Sequence, residues 1–286
     1  MNTTLTDSRQ SAAGRPPAHG SREAWLQAHP YLRPMESIEQ ALDDAARVLL
    51  AAARALGCEA QSHRHDGVPL LSRAPAGTYA AAADLLDLLV ARLARSEALP
   101  ARLRDACHDL DAAFRRSAAE PRRAVAWLLG GDEAPSHPEL LYTLGWMAMS
   151  RAVASAAQDP AHGNDDPWDR PYCPTCGAPP SMAQLVTSGE GRRRLLVCGR
   201  CRTRWGYQRF GCPFCGNERQ EDLRVLQVEG DDALRLDTCE ACLGYLKTYA
   251  GEGEESLFLL GWTTLHLDVL ARERGYENTG ASLFEI

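Results

Sequence analysis

Cys173-Pro-Thr-Cys176, Cys198-Gly-Arg-Cys201, Cys212-Pro-Phe-Cys215 and Cys239-Glu-Ala-Cys242 decide how the C-terminal part of this chain folds. Eight of the ten cysteines stand in these four pairs, separated by 21, 10 and 23 residues. Two thiolates on one tight turn can approach a single metal ion at about 2.3 Å while a second pair completes a tetrahedron. The first pair of each half runs on into glycine, Gly177 and Gly216. Proline presets φ in such a turn, and glycine accepts the left-handed backbone that aims N–H groups at sulfur. The spacing predicts metal knuckles.

Between the knuckles of each half the residues suit a β-hairpin. In the first half the arms are Ala183 to Thr187 and Arg193 to Val197, around Ser188-Gly189-Glu190-Gly191. In the second they are Leu223 to Val228 and Ala233 to Asp237, around Glu229-Gly230-Asp231-Asp232. The halves are a repeat. Local pairing assigns Cys173, Cys176, Cys198 and Cys201 to one metal site, and Cys212, Cys215, Cys239 and Cys242 to a second. A cross-brace, in which the first and third pairs share an ion, is also compatible with the spacing; the duplicated Cys-Pro-x-Cys-Gly favours local pairing.

Disulfides and thioredoxin-like redox pairs fit poorly. Met1 to Ser21 lacks the apolar core of a secretory signal, and a redox pair would open a helix once rather than recur four times. Two metal ions are the expected cofactors, iron or zinc, since both accept four thiolates. Four protein thiolates leave no open coordination position, which points to a bracing role.

No run of 18 apolar residues occurs, so membrane insertion is not expected. A formal charge of −7 argues against a general nucleic-acid binder. Gly191 to Phe210 is a local exception, with Arg192, Arg193, Arg194, Arg200, Arg202, Arg204 and Arg209 and no acidic residue. A solvated face that offsets the thiolate charge is the expectation; a docking surface for an acidic partner is the alternative.

Upstream, residues 22–160 read as an all-α domain after a disordered tail over 1–21. Helical apolar spacing runs through Met35 to Leu56, Thr78 to Ala94, a segment after Pro100 containing Cys107 and Phe114, a short one opened by Pro121, and Pro138 to about Ala157. Cys58 and Cys107 stand alone, as buried thiols, and His63 and His65 have no partner at ligand spacing. A Pro/Asp/Asn-rich linker at 161–170 leads to the metal-binding domain, 171–286. That domain comprises module one (171–209), module two (210–250) and a final helix at 256–274, on which packing or hydrogen bonding accounts for His266 and Asp268. Trp205 and Tyr207 share one face of a strand between the modules and are expected to bury against a hairpin, and Tyr245 to Tyr249 is a closing strand. The fold class is α+β. No phosphate loop, nucleophile elbow or His-Glu-x-x-His is present, so no catalytic residue is assigned.

The four cysteine pairs, with Cys198-Gly-Arg-Cys201-Arg-Thr-Arg-Trp205, Cys239-Glu-Ala-Cys242-Leu-Gly-Tyr-Leu-Lys247 and Leu267-Asp268-Val-Leu270-Ala-Arg-Glu273-Arg-Gly275-Tyr276, resemble the FdhE family of formate dehydrogenase accessory proteins over about the last 115 residues. The resemblance implies a non-enzymatic, cytoplasmic maturation factor for respiratory formate dehydrogenase. Such a factor binds the catalytic subunit before export, and its eight cysteines hold two iron ions in two tandem rubredoxin-like or zinc-ribbon modules. A zinc-ribbon nucleic-acid-binding protein and a rubredoxin-like electron carrier are the alternatives.

Overall fold

The computed structural model describes residues 5–7, 22–50, 66–73, 76–154, 168–189, 191–228 and 231–284. The chain divides into two compact units, one comprising residues 26–63 and 70–158, the other 1–25, 64–69 and 159–286. After a short helix, Arg22–Ala28 (α1), the first unit consists of Arg33–Leu50 (α2), Ala76–Leu93 (α3), Ala101–Arg116 (α4), Glu120–Leu128 (α5) and Pro138–Ala154 (α6). Pro100 stands at the N-cap of α4 and Pro121 in the first turn of α5, where a missing N–H costs nothing.

α3 is apolar around most of its circumference, with Ala82, Leu85, Leu86, Leu89, Val90 and Leu93 all buried, so it takes the centre of the bundle. Leu144, Met147 and Met149 of α6 are buried with it. Gly145 lets α6 approach α5, since a Cβ there would lie 2.4 Å from Leu128 Cδ1. Arg151 ties α6 to α2 through Glu39, at 3.1 Å, and Asp43, at 2.7 Å. Cys107 is buried, and desolvation pushes its thiol up to about 11. Cys58, His63 and His65 lie outside the described residues.

The second unit is built on a seven-stranded mixed sheet. Its strands are Leu5–Asp7 (β1), Pro180–Ser188 (β2), Gly191–Cys198 (β3), Arg204–Tyr207 (β4), Leu223–Val228 (β5), Asp231–Cys239 (β6) and Tyr245–Tyr249 (β7). They lie in the order β1-β5-β6-β7-β2-β3-β4. Both expected hairpins form: β2 pairs with β3 from Pro180↔Cys198 to Ser188↔Gly191, and β5 with β6 from Leu223↔Cys239. β7 runs antiparallel to β6 and parallel to β2, with Leu236↔Lys247 on one side and Met182↔Lys247 on the other. The two cysteine modules therefore share one sheet and one core.

Two expectations are corrected. Leu5–Asp7, read as part of a disordered tail, pairs with β5 through Leu5↔Val228, because an edge strand presents unpaired backbone groups that a short segment can satisfy. The final helix is interrupted: Glu255–Phe258 (α7) is followed by a 3-10 turn at Trp262–Thr264 and then Leu265–Glu273 (α8). Gly261, at φ +80°, breaks it, since a left-handed residue cannot continue a right-handed helix.

The helical segments cover one sheet face. Leu234, Leu236, Tyr245 and Tyr249 pack with Phe258, Leu267 and Ala271, and Trp25 meets Phe258 edge-on at 5.2 Å. Inside this core Lys247 Nζ donates to Asp268 Oδ2 at 2.8 Å, and the Tyr245 hydroxyl donates to Asp268 Oδ1 at 2.7 Å. Asp268 thus packs as expected, as the acceptor of a buried ion pair.

Candidate metal centres

The four cysteine pairs adopt one backbone motif. The N–H of each pair's first cysteine closes a turn with a carbonyl further along: Cys173 to Ala178, Cys198 to Thr203, Cys212 to Asn217 and Cys239 to Gly244, at 2.8–3.0 Å. The residue after each second cysteine is left-handed: Gly177 at φ +77°, Arg202 at +61°, Gly216 at +72° and Leu243 at +56°. Glycine marked two of these positions in the sequence. Arg202 and Leu243 occupy the same conformation at a steric cost, which the spacing alone did not reveal.

The sulfurs gather in the local pairing. Cys173, Cys176, Cys198 and Cys201 form one cluster, and Cys212, Cys215, Cys239 and Cys242 the other, with all sulfurs of a cluster within 4.8 Å of one another. Pairs across each knuckle approach to 3.4 Å in the first cluster (Cys173–Cys201, Cys176–Cys198) and 3.7 Å in the second (Cys212–Cys242, Cys215–Cys239). A tetrahedron with metal–sulfur bonds of about 2.3 Å has edges of about 3.8 Å. Both clusters can accept a four-thiolate ion with little movement.

Electrostatics points the same way. Burial pushes the Cys173 thiol well above its ordinary range, and the three neighbouring sulfurs do the same to Cys176. Burial also opposes ionisation of Cys198, but sulfur hydrogen bonds from Cys173, Cys176 and Cys201 outweigh it and hold Cys198 well below the usual thiol range. A divalent cation at the centre would let all four ionise, which is the chemistry this donor set fits.

The clusters differ in their surroundings. In the first, Cys173, Cys198 and Cys201 are buried and Cys176 half-buried; in the second, Cys215 is exposed and Cys242 half-buried. Thr203 Oγ1 lies 3.2 Å from Cys201 Sγ and donates to Thr175 Oγ1 at 2.7 Å. Asn217 Nδ2 donates to Cys239 Sγ at 3.8 Å and to Asp222 Oδ2 at 2.9 Å. Asn217 and Thr203 stand two residues beyond a cysteine, a positional signal the sequence contains but that spacing did not single out.

Part of the arginine stretch turns inward instead of forming a solvated face, while Arg209 stays exposed. Arg194 is 4% exposed, donates to the Gly211 carbonyl at 2.9 Å and lies over the Tyr207 ring. Arg192 donates to the Ala250 carbonyl at 3.2 Å and Arg204 to Gln184 Oε1 at 2.8 Å. Alternation on β3 and β4 turns alternate arginines inward, where the guanidinium can reach carbonyls of neighbouring segments. Trp205 is fully buried and donates to the Arg170 carbonyl at 3.0 Å, while Tyr207 on the same strand is only partly covered. His266 lies 5.9 Å from the Trp25 ring, a packing position.

No family model matches the chain. The chain is similar to proteins named FdhE homolog: 36% identical over 117 residues to one from Pseudomonas aeruginosa, covering 37% of each chain. The likeness to one from Aquifex aeolicus is 30% over 112 residues, covering 38% of this chain and 40% of the relative. One from Enterobacter sp. is 29% identical over 162 residues, 55% of this chain and 49% of the relative. Each match thus spans about half or less of the relative's length. The fold as a whole is similar to the crystal structure of the FdhE protein from Pseudomonas aeruginosa, with a TM-score of 0.62 at 24% identity over 91% of this chain and 93% of that one.

Proposed function

We propose that this chain, whose sequence likeness and overall fold support the FdhE family, is a cytoplasmic accessory protein for maturation of respiratory formate dehydrogenase, binding the catalytic subunit before export. The carrying observation is that a chain similar to proteins named FdhE homolog also gathers its eight paired cysteines into two four-sulfur clusters. Among the described residues no helix is long and apolar enough to cross a membrane, in keeping with action on a client before it reaches one.

In this reading all eight cysteines are ligands, the two ions are iron in rubredoxin-type sites, and zinc is the competing occupant. Four thiolates around each ion leave substrate no place to bind, which supports a role in recognition rather than catalysis. The nucleic-acid reading loses its main support, because Arg192, Arg194 and Arg204 hydrogen-bond within the sheet unit.

The test is formate-dependent dye reduction in cells lacking the gene, complemented with the wild-type chain or with Cys173→Ser/Cys176→Ser. Restoration by the wild type alone, with the variant protein present at normal levels but failing to co-purify with the catalytic subunit, is the expected result. Unchanged activity in a deletion strain with a single formate dehydrogenase refutes it. Metal analysis of the purified chain, with the visible absorption of ferric thiolate as readout, separates iron from zinc.

A further inference from the structure

The sheet face opposite the helical segments carries a cavity. Side chains alternate along a strand, so the register that turns Lys247, Leu236 and Met182 toward α8 turns Leu185, Arg194, Arg235 and Asp237 the other way. Arg209 to Phe214, the segment leading from β4 into the second metal cluster, runs over this face. Together they enclose about 810 Å³, within the range of small-molecule sites.

The lining is cationic. Five arginines contribute to it against two aspartates, Asp232 and Asp237. Asp237 is already engaged, with Oδ1 2.9 Å from Arg235 Nε. Arg192 and Arg194 make their hydrogen bonds to the carbonyls of Ala250 and Gly211, not to carboxylates. Arg194 is 4% exposed and its Nε has no acceptor. Asp237 offsets the Arg194 charge from a distance but makes no hydrogen bond to it, and a buried guanidinium whose hydrogen bonds go to a neutral acceptor is stabilised when an anion arrives.

A loaded second cluster, with Cys212 and Cys239 at one end of the cavity, would carry a charge of −2, and five arginines exceed that and the two aspartates combined. The surplus is positive. Arginine rather than lysine suits oxyanions that accept two parallel N–H bonds, phosphate among them. Phe210 and Phe214 line the same space and offer apolar surface to the rest of a ligand.

We propose that this cavity binds a small phosphorylated molecule, with the phosphate on Arg192 and Arg194 and with Arg209 closing over it. The inference stands apart from client binding, because it rests only on the cavity and its lining.

Calorimetric titration of the full, metal-loaded chain with inorganic pyrophosphate and, separately, with ATP tests it. Salt-sensitive binding of pyrophosphate is expected, and Arg192→Gln/Arg209→Gln should weaken it about tenfold or more while metal content stays the same. Tighter binding of ATP than of pyrophosphate would show that the organic part also occupies the cavity. Absence of binding by both probes overturns the proposal. So does equal affinity in the double variant or in Arg209→Glu, whose side chain is exposed and whose exchange leaves the sheet untouched. Loss of metal without any change in pyrophosphate affinity would mean the arginines only balance thiolate charge, and overturns it as well.

Discussion

Replacing Asp268 by Asn isolates the buried Lys247–Asp268 ion pair in the sheet unit's core. The side chains of Lys247 and Asp268 are 3% and 5% exposed. Asparagine can keep the acceptor for the Tyr245 hydroxyl but puts an amide N–H₂ where Lys247 Nζ needs a carboxylate, leaving the Gly261 carbonyl at 3.2 Å as its remaining acceptor. Breaking one side of a buried pair costs about 3–5 kcal/mol. The penalty is also bounded, because the lysine can shed its proton: at about 1.4 kcal/mol per pH unit over the roughly 3.4 units between pH 7 and lysine's ordinary value, that escape costs about 4.6 kcal/mol. A loss of about 3–4.5 kcal/mol at pH 7 is therefore expected.

The escape route fixes the pH dependence. Burial already lowers the Lys247 pKa in the folded wild type, with Asp268 opposing it. Between the folded pKa and about 10.5 the unfolded chain holds more protons, so stability rises with pH. Without the carboxylate the folded pKa falls further, the window opens at lower pH, and the variant gains more on the way up. Its deficit must therefore narrow between pH 7 and pH 9. Amide hydrogen exchange of β6 and β7 reports this sheet alone and suits the measurement. The companion Lys247→Met/Asp268→Asn, which removes the cation too, should recover much of the loss. A deficit below about 1 kcal/mol, or one unchanged between pH 7 and pH 9, would refute the reasoning.

The knuckles make a reciprocal pair of predictions. Gly216→Ala should destabilise the metal-loaded chain by about 1 kcal/mol, because no atom lies within 4 Å of the added Cβ and the cost is purely that of the left-handed backbone; Leu243→Gly should stabilise by a similar or smaller amount, and denaturant midpoints check both. Chelator at neutral pH should strip the two ions in separate phases, the second cluster first, since its Cys215 is exposed whereas no cysteine of the first cluster is; Cys215→Ser should abolish the fast phase seen with a chromogenic chelator.

The local layout of the chain was legible because each signal acts over a few residues. Cysteine spacing, the glycines after Cys176 and Cys215, the hairpin arms and the prolines before α4 and inside α5 all dictate structure within one turn of themselves. The helical period of α2 to α6 follows from the same short-range logic. Even the gathering of sulfurs into two clusters is local, because a hairpin returns each second pair to its first. The left-handed Arg202 and Leu243 are not legible in the sequence, because neither residue type advertises that conformation and only the closed turn imposes it.

Tertiary structure decided what depends on residues far apart in sequence. β7 places a parallel strand against β2, some sixty positions upstream, and so turns two cysteine modules into one sheet. Leu5–Asp7 carries no strand signal of its own and is ordered by the free edge of β5. Gly261 breaks an otherwise continuous helical period, while Lys247, a polar residue in an apolar strand, becomes intelligible only opposite Asp268. Arg192 and Arg194 looked like surface until the sheet closed beside the loop at Gly211 and left them lining a cavity. Short-range sterics and spacing can be read from the chain directly; burial, charge compensation and edge pairing exist only once distant segments have met.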